Sequence, residues 1–555
     1  MHTSQGGASL NVNRLGPYPI VRHFLERLNL GGIIRSCVGT GRDRTLGHDE
    51  ALAVLVQNVL DSPAPLYRIA EWAAPIAPSA LGLTPEQKRV LNDDRIARML
   101  DALVSERGKS IWFRLALRMI KQFKLDTSRM HQDTTSVTFS GAYRSSHAEP
   151  VITLGYNKDH RSDLKQLVFG LTVTADGAVP INHQIWSGNR TDDTVHRDNL
   201  EELRQLLGKT DFIYVADTKL ATDANLQEIS DHGGKFVTVW SRNRKEDKEF
   251  RGQLRRQRIR WRKILEIPNH REFGGPPDVY SSCREGPERT AQSYRLVWVR
   301  SSGKAKRDQE AREQKLERAR VELALLGKRL NRRRLKTHPQ IRKAVRQILQ
   351  HYGVEEFLSV KVQAHRQEEI RHLKRGRPSP GAAVRMVRKN IWQLKLQWET
   401  ARLREEKRTD GVFPLVTNLE KPAKKEIVSI YKYQPYIEKR FSQLKTNLEV
   451  APVYLKKPLR CAGLVHAYYV ALAVSSLIER AVRQGMAREK IESLPLFPEG
   501  RPTSTPTCQR ILEAFKGLSW YEFKRGDDLV HFPIKLTELQ QLLLKLLDVP
   551  RERYS

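Results

Sequence analysis

The residues best suited to chemistry are three carboxylates far apart in the chain, Asp133, Asp217 and Glu438, and the polar groups around the last of them. Glu438 lies in YKYQPYIEKRFSQLK, which runs from Tyr431 to Lys445. If that stretch is helical, Tyr431, Gln434, Glu438 and Lys445 fall at offsets 0, 3, 7 and 14. They then share one face carrying a phenol, an amide, an acid and an ammonium. Ile437, Phe441 and Leu444 occupy the other sides and can turn the helix toward a core while Glu438 points at a polar cleft. Pro435 has no N–H, so the helix is expected to kink there or to restart with Pro435 in its first turn. Asp133 sits inside the strand-like run MHQDTTSVTF, where a carboxylate is costly unless a cation or donor compensates it. Asp217 directly follows FIYVA, at the C-terminal end of a strand, where α/β sheets open their binding crevices. Two acids from separate strands aimed at one crevice make a metal-site pattern, although Asp217 alone reads equally as a turn or cap residue.

The elements that must position these groups change in kind along the chain. Residues 1–125 read as a basic helical domain: Asn92 or Asp93 can cap a helix whose Ile96, Met99, Leu100, Leu103 and Val104 follow helical spacing, with Gly108 to end it. Such a domain can dock a helix in a DNA groove or serve as a cap on the next domain. Over 126–240 the period becomes that of strands, at Met130–Phe139, Val151–Gly155, Gln166–Thr174 and Val179–Trp186, followed by helix, strand, helix and strand. That order predicts an α/β fold, a mixed sheet flanked by helices. Between the strands, GYNKDHRSDLKQ is polar, and its Lys158, Asp159, His160, Arg161 and Asp163 either line the cleft, contact phosphates or form an exposed loop. In GNRTDDT, Thr191 or Asp192 is expected to cap the next helix.

Residues 241–420 read as an α+β insertion. Ser241–His270 is rich in Lys and Arg with interleaved aromatics, a pattern shared by backbone-tracking surfaces and by disorder. Leu316, Ala319, Leu323, Leu326 and Leu330 form the seam of one helix, and Ile341, Val345, Ile348 and Leu349 offer a return helix. Trp392, Leu394, Leu396 and Trp398 alternate with polar residues as in a half-buried strand, and Asp410-Gly411 is expected to turn it into the strand Val412–Thr417. Residues 421–490 return to the core with Glu438 and the apolar run Leu464–Ile478, which contains His466 and two serines and reads as a buried helix rather than a membrane span. Residues 491–555 read as a helical C-terminal segment.

A chain of 555 residues is too long for one core. Its formal charge of +34 points to a polyanionic partner, and nucleic acid fits best because no lipid anchor or membrane signal is visible. Cys37, Cys283, Cys461 and Cys508 have no paired spacing, which argues against a zinc finger or a disulfide framework and suits a reducing cytoplasm. The first residues lack a basic-then-apolar signal pattern.

Together, Asp133 in a first strand, Asp217 after a later one, a large insertion, and Tyr431, Gln434, Glu438 and Lys445 resemble the DDE transposases of bacterial insertion sequences. More narrowly, the pattern resembles the subgroup with Tyr-x2-Arg-x3-Glu-x6-Lys, from which this chain departs by carrying Gln434 in place of Arg. The resemblance implies an RNase H-like core split by the insertion. It also implies two Mg2+ or Mn2+ ions, with Asp133 as the bridging ligand, Asp217 on one ion and Glu438 on the other. Paired divalent ions about 4 Å apart activate the attacking oxygen and stabilise the leaving one in phosphodiester chemistry. Tyr431, Gln434, Lys445, Lys158 and Arg161 are then candidates to contact DNA, and Trp392 or Trp398 to hold a flipped base, each with a core role as the alternative. The implied activity is cutting at terminal inverted repeats and strand transfer into target DNA by a homodimeric synaptic complex, on bacterial nucleoid DNA. Two other readings share these residues: an RNase H-like nuclease without strand transfer, and a non-catalytic DNA-binding protein derived from a transposase.

Overall fold

Runs that repeat apolar residues at three and four become helices, and the Val-, Thr- and Phe-rich runs become strands. In the computed structural model, residues 8–554 are described except 42–44, 144–148, 160, 192–193, 269–274, 333–334, 374–382, 451–452, 454, 526–527 and 533. The chain forms two units, Met1–Thr238 together with Ile430–Ser555, and Val239–Ser429.

The first unit begins with a strand, β1 (Ala8–Arg14), in a region whose sequence reads as helical. It pairs antiparallel with Ser519–Arg525, which pairs in turn with Asp528–Phe532. The C-terminal segment is therefore not only helical. The alternation in SWYEFKR needs a partner some five hundred residues away, and local pattern cannot supply one. Helices follow, among them His48–Asp61, Asp93–Leu103 and Lys109–Phe123. Asn92 caps Asp93–Leu103 by accepting the Arg95 N–H at 3.0 Å, and Ile96, Met99, Leu100 and Leu103 are buried. Gly108, expected to end that helix, instead precedes the next one.

The sheet of this unit comprises β2 (Arg129–Phe139), β3 (Lys165–Thr174), β4 (Pro180–Ser187), β5 (Ile213–Val215) and β6 (Lys235–Val239). Their spatial order is β4-β3-β2-β5-β6. β2, β3 and β4 pair antiparallel, while β5 pairs parallel with β2 and with β6. The parallel steps need crossovers, and the Val195–Leu207 and Asp223–Asp231 helices provide them. This is the expected mixed sheet flanked by helices. The expected strand Val151–Gly155 reduces to one bridge, Thr153 to Gln166. There the backbone passes so close to Gly188 that a Cβ on Gly155 would lie 1.9 Å from its carbonyl oxygen.

Against this sheet packs Pro458–Arg488, a 31-residue helix long and apolar enough to cross a membrane but buried within the unit. Its His466 tolerates burial by stacking on Trp112, with ring centroids 4.4 Å apart, and by sharing a 2.6 Å hydrogen bond with His183. Burial pushes the His466 imidazole down to about 3, so it stays neutral.

In the second unit, Lys245–Arg256 is helical, so the basic stretch from Ser241 is ordered over most of its described length. β7 (Arg262–Ile267), β8 (Asp278–Ser282) and β9 (Arg295–Ser301) form an antiparallel series. Helices Ser302–Arg329 and His338–Tyr352 make the expected hairpin, with Leu316, Ala319, Leu323 and Leu326 buried against Ile341, Val345 and Leu349. β10 (Leu358–His372) and β11 (Val384–Trp398) form a two-stranded ribbon. β12 (Val412–Thr417) pairs with β9 and not with β11, so the expected hairpin at Asp410-Gly411 does not form. The helix Thr400–Lys407 intervenes, and Gly411, at φ +78°, makes a turn that leads β12 to a different neighbour.

Candidate active site

The candidate site lies wholly within the first unit, and sheet register assembles its first half. His131 of β2 pairs with Val215 of β5 in parallel register. Asp133 stands two residues further along β2, and Asp217 two residues further on, just past the end of β5, with adjacent strands on the order of 5 Å apart. Asp217 caps the turn after β5, its Oδ1 accepting the Lys219 N–H at 2.9 Å. Asp133 Oδ1 accepts the Thr134 N–H at 2.7 Å. Burial, reinforced by the neighbouring Asp217 and opposed by Lys158, holds the Asp133 carboxyl up at about 6.

The second half comes from the stretch around Glu438, and it is not one continuous helix. Lys424–Tyr431 ends, Pro435–Ser442 begins with Pro435 in its first turn, and a π-helical turn, Gln443–Asn447, follows. The expectation of a restart at Pro435 holds, while the single face shared by four residues does not. Gln434 is buried, Glu438 is exposed and Lys445 turns onto a loop. Tyr431 nevertheless reads out the convergence. Burial pushes its phenol far above the usual range, and Asp217, Glu438 and Asp133 each push it further. All three acids therefore lie within electrostatic reach of one hydroxyl group.

Two buried side chains that sequence reasoning does not single out for this task fix the Pro435–Ser442 helix. Gln434 Nε2 donates to the Gln132 carbonyl at 2.9 Å, and Gln434 Oε1 lies 3.0 Å from His131 Nδ1. An amide oxygen only accepts, so Nδ1 carries the hydrogen, and burial holds this ring neutral with its imidazole down at about 4. With both ends of its amide used inside the protein, Gln434, expected on DNA, ties the helix to β2. Arg440 donates to the carbonyls of Ala178 at 3.0 Å and Gly177 at 2.8 Å, and pairs with Glu479 of the core helix at 2.8 Å. Ile437, Phe441 and Leu444 are buried beneath, each contributing roughly 1.5–3 kcal/mol. The signal for Arg440 is its place on the side of the helix opposite Glu438, among those apolar residues.

The loop after Tyr156 reaches over both halves. Lys158 Nζ donates to Thr134 O at 2.8 Å, Thr134 Oγ1 at 2.7 Å and Asp133 Oδ1 at 3.3 Å. The next residue, Asp159, accepts from Lys445 Nζ at 2.6 and 2.7 Å. Lys158 and Lys445, expected on DNA, are thus paired with acids of this site. Arg161 is exposed and forms a two-pronged pair with Asp163 at 2.9 and 2.8 Å. His160 and Asp192 lie outside the described residues. In the second unit, Trp392 donates its indole N–H to the Lys336 carbonyl at 2.9 Å and packs on the helical hairpin, while Trp398 is exposed.

The donor set of three hard carboxylate oxygens suits Mg2+ or Mn2+, and two adjacent acids, one held at about 6, are the repulsive pair that a divalent cation relieves. Among the described residues, no three His, Cys, Asp or Glu side chains are gathered tightly enough to hold one ion. The Lys158 ammonium is the cation that Asp133 faces.

Residues 10–117 match a family described as a domain of unknown function, DUF4277. No curated protein is similar enough in sequence to match. Among solved structures, the chain is similar to one described as a cryo-EM structure of the piggyBac transposase synaptic complex with hairpin DNA. The likeness has 9% identity and a TM-score of 0.40, and covers 92% of this chain and 82% of that one.

Proposed function

We propose that this chain is the DDE transposase of a bacterial insertion sequence, cutting DNA at the terminal inverted repeats and joining the freed 3' ends to target DNA. The observation that carries this reading is that β2 with Asp133 lies parallel and adjacent to β5, whose end is followed by Asp217, and that Gln434 ties the helix holding Glu438 to β2. Asp133, Asp217 and Glu438 would hold two Mg2+ or Mn2+ ions. When bound, these supply Lewis acidity for in-line attack on a phosphodiester. The remaining roles belong to the chain itself. Gln434 and Arg440 keep Glu438 at a set height over β2, and the buried Tyr431 hydroxyl offers a neutral donor among the acids. Lys445 is a phosphate contact once released from Asp159. Residues 1–125 and the insertion 241–420 supply further DNA-binding surface, while the core segments 126–240 and 421–490 carry the acids. The working form is a dimer on paired ends, acting on DNA in the bacterial cytoplasm; the formal charge of +34 supports the DNA partner.

The test is incubation with duplexes carrying the element's own ends and Mg2+, with products resolved on a denaturing gel. Joined strands support transposition, and nicks without joining support the nuclease reading. Asp133→Ala, Asp217→Ala and Glu438→Ala should each abolish products while leaving DNA binding nearly intact. Cleavage retained in any one of them removes that residue from the site.

A further inference from the structure

The ribbon β10–β11 has two unlike faces. Residues directly opposite in an antiparallel pair point to the same side, and sides alternate along each strand. Register pairs Leu358 with Trp398, Val360 with Leu396 and Val362 with Leu394. Leu358, Val360, Val362, Leu394 and Leu396 of this side pack on the helical hairpin, while Trp398 is exposed. The alternate residues form the other side, turned away from those helices.

That second side is unusual. Lys361 stands directly opposite Lys395, and Arg371 directly opposite Arg385. Like charges so placed repel; Arg371 is offset in part by Glu369, at 3.4 Å, whereas among the described residues Lys361 and Lys395 form no ion pair. With Lys389 the two pairs make five cations on this side, against the single acid Glu369, and all six are exposed. Between them lie pairs of uncharged donors and acceptors, Gln363 opposite Gln393 and, nearer the base, Ser359 opposite Gln397. A ribbon of fifteen residues per strand is roughly 50 Å long. Two strands side by side fit the major groove of DNA, about 12 Å wide, where Lys and Arg meet guanine edges or phosphates and Gln meets adenine.

We propose that this face of the β10–β11 ribbon is a DNA-binding arm that lies in the groove of a duplex, with the opposed cation pairs taking phosphates on either side. The proposal rests on the DNA-acting reading above but not on its chemistry. An anion beside Lys361 and Lys395 accounts for a repulsion that the fold alone does not explain.

The test uses the full chain and a 40-base-pair duplex without divalent ions, with affinity measured by fluorescence anisotropy across salt concentrations. Lys361→Gln with Lys395→Gln removes two charges from the proposed face, and Arg366→Gln with Arg388→Gln removes two from the opposite one. Losing two phosphate contacts should flatten the slope of log affinity against log salt by roughly 1.8 and weaken binding roughly tenfold at moderate salt. The second pair of substitutions should leave the slope unchanged. Thermal unfolding should show the first variant no less stable than the parent, since it relieves repulsion; a structural role would lower it. Equal effects from both faces, no effect from the first, or binding of single-stranded RNA in preference to the duplex would overturn the proposal. Cleavage by the parent with Mg2+, assayed separately, reports on the catalytic reading, so the two can fail independently.

Discussion

Asp133→Asn should make the protein more stable while destroying its activity, and the size of the gain follows from the site. The Asp133 carboxyl is 21% exposed and is held at about 6, against 3.8 for an ordinary aspartate. A folded-state value above the unfolded one means that the fold disfavours the ionised form. The cost is absent below the unfolded value, grows as pH rises from about 4 to 6, and is constant above that. A difference of about two units corresponds to roughly 3 kcal/mol at pH 8, a ceiling because the residue is partly solvated and Asn gives up the attraction to Lys158. At pH 5 about half should remain. For a cooperative unit of this size, 3 kcal/mol is roughly 4 °C in melting temperature. Asn keeps an oxygen to accept the Thr134 N–H, so packing is preserved. The assay is calorimetric or fluorescence-monitored unfolding of parent and variant at pH 8 and pH 5 in chelator, paired with the DNA cleavage gel. A variant less stable than the parent at pH 8, or a difference that does not shrink toward pH 5, would refute the view that a buried, under-compensated charge sits at this position.

Other expectations are simpler. Gln434→Leu leaves the Gln132 carbonyl and the His131 N–H unbonded in the interior and should cost roughly 2–5 kcal/mol in urea unfolding; a loss under about 0.5 would mean that the tie is dispensable. Arg440→Met strips the buried Glu479 of its closest cation and should cost about 3 kcal/mol, partly recovered by adding Glu479→Leu. No recovery in the double variant would show that the pair is not the source of the loss. Lys158→Met removes the ammonium facing Asp133, and Mn2+ binding followed by electron paramagnetic resonance should tighten roughly tenfold. Unchanged affinity would mean that the lysine does not compete with the ion.

Much of the core was legible because its information is local. The strand around Asp133, the strand end before Asp217 and the restart at Pro435 each follow from residues within a turn or two. Partners were not legible. Alternation in WQLKLQW identifies a strand but not that Leu358–His372, whose outer half is polar and exposed on both sides, is what it pairs with. The side-by-side placement of Asp133 and Asp217 comes from parallel register, which short-range pattern does not encode. Gln434 shows the limit most plainly. Helical spacing puts it with Glu438, yet the break before Pro435 and the pull of two buried polar groups on β2 turn it inward.

The division of the first unit by Val239–Ser429 sets a timetable for the nascent chain. Translation at roughly 5–20 residues per second places on the order of 10–40 s between the emergence of β6 and that of Glu438. During that interval β2 through β6 lack the Pro435–Ser442 and Pro458–Arg488 helices that cover them. β1 waits longer still, for a partner strand starting at Ser519. Prematurely terminated products that stop within the insertion therefore carry two of the acids and never the third. A ribosome stalled there releases a fragment whose sheet never receives the Pro435–Ser442 helix.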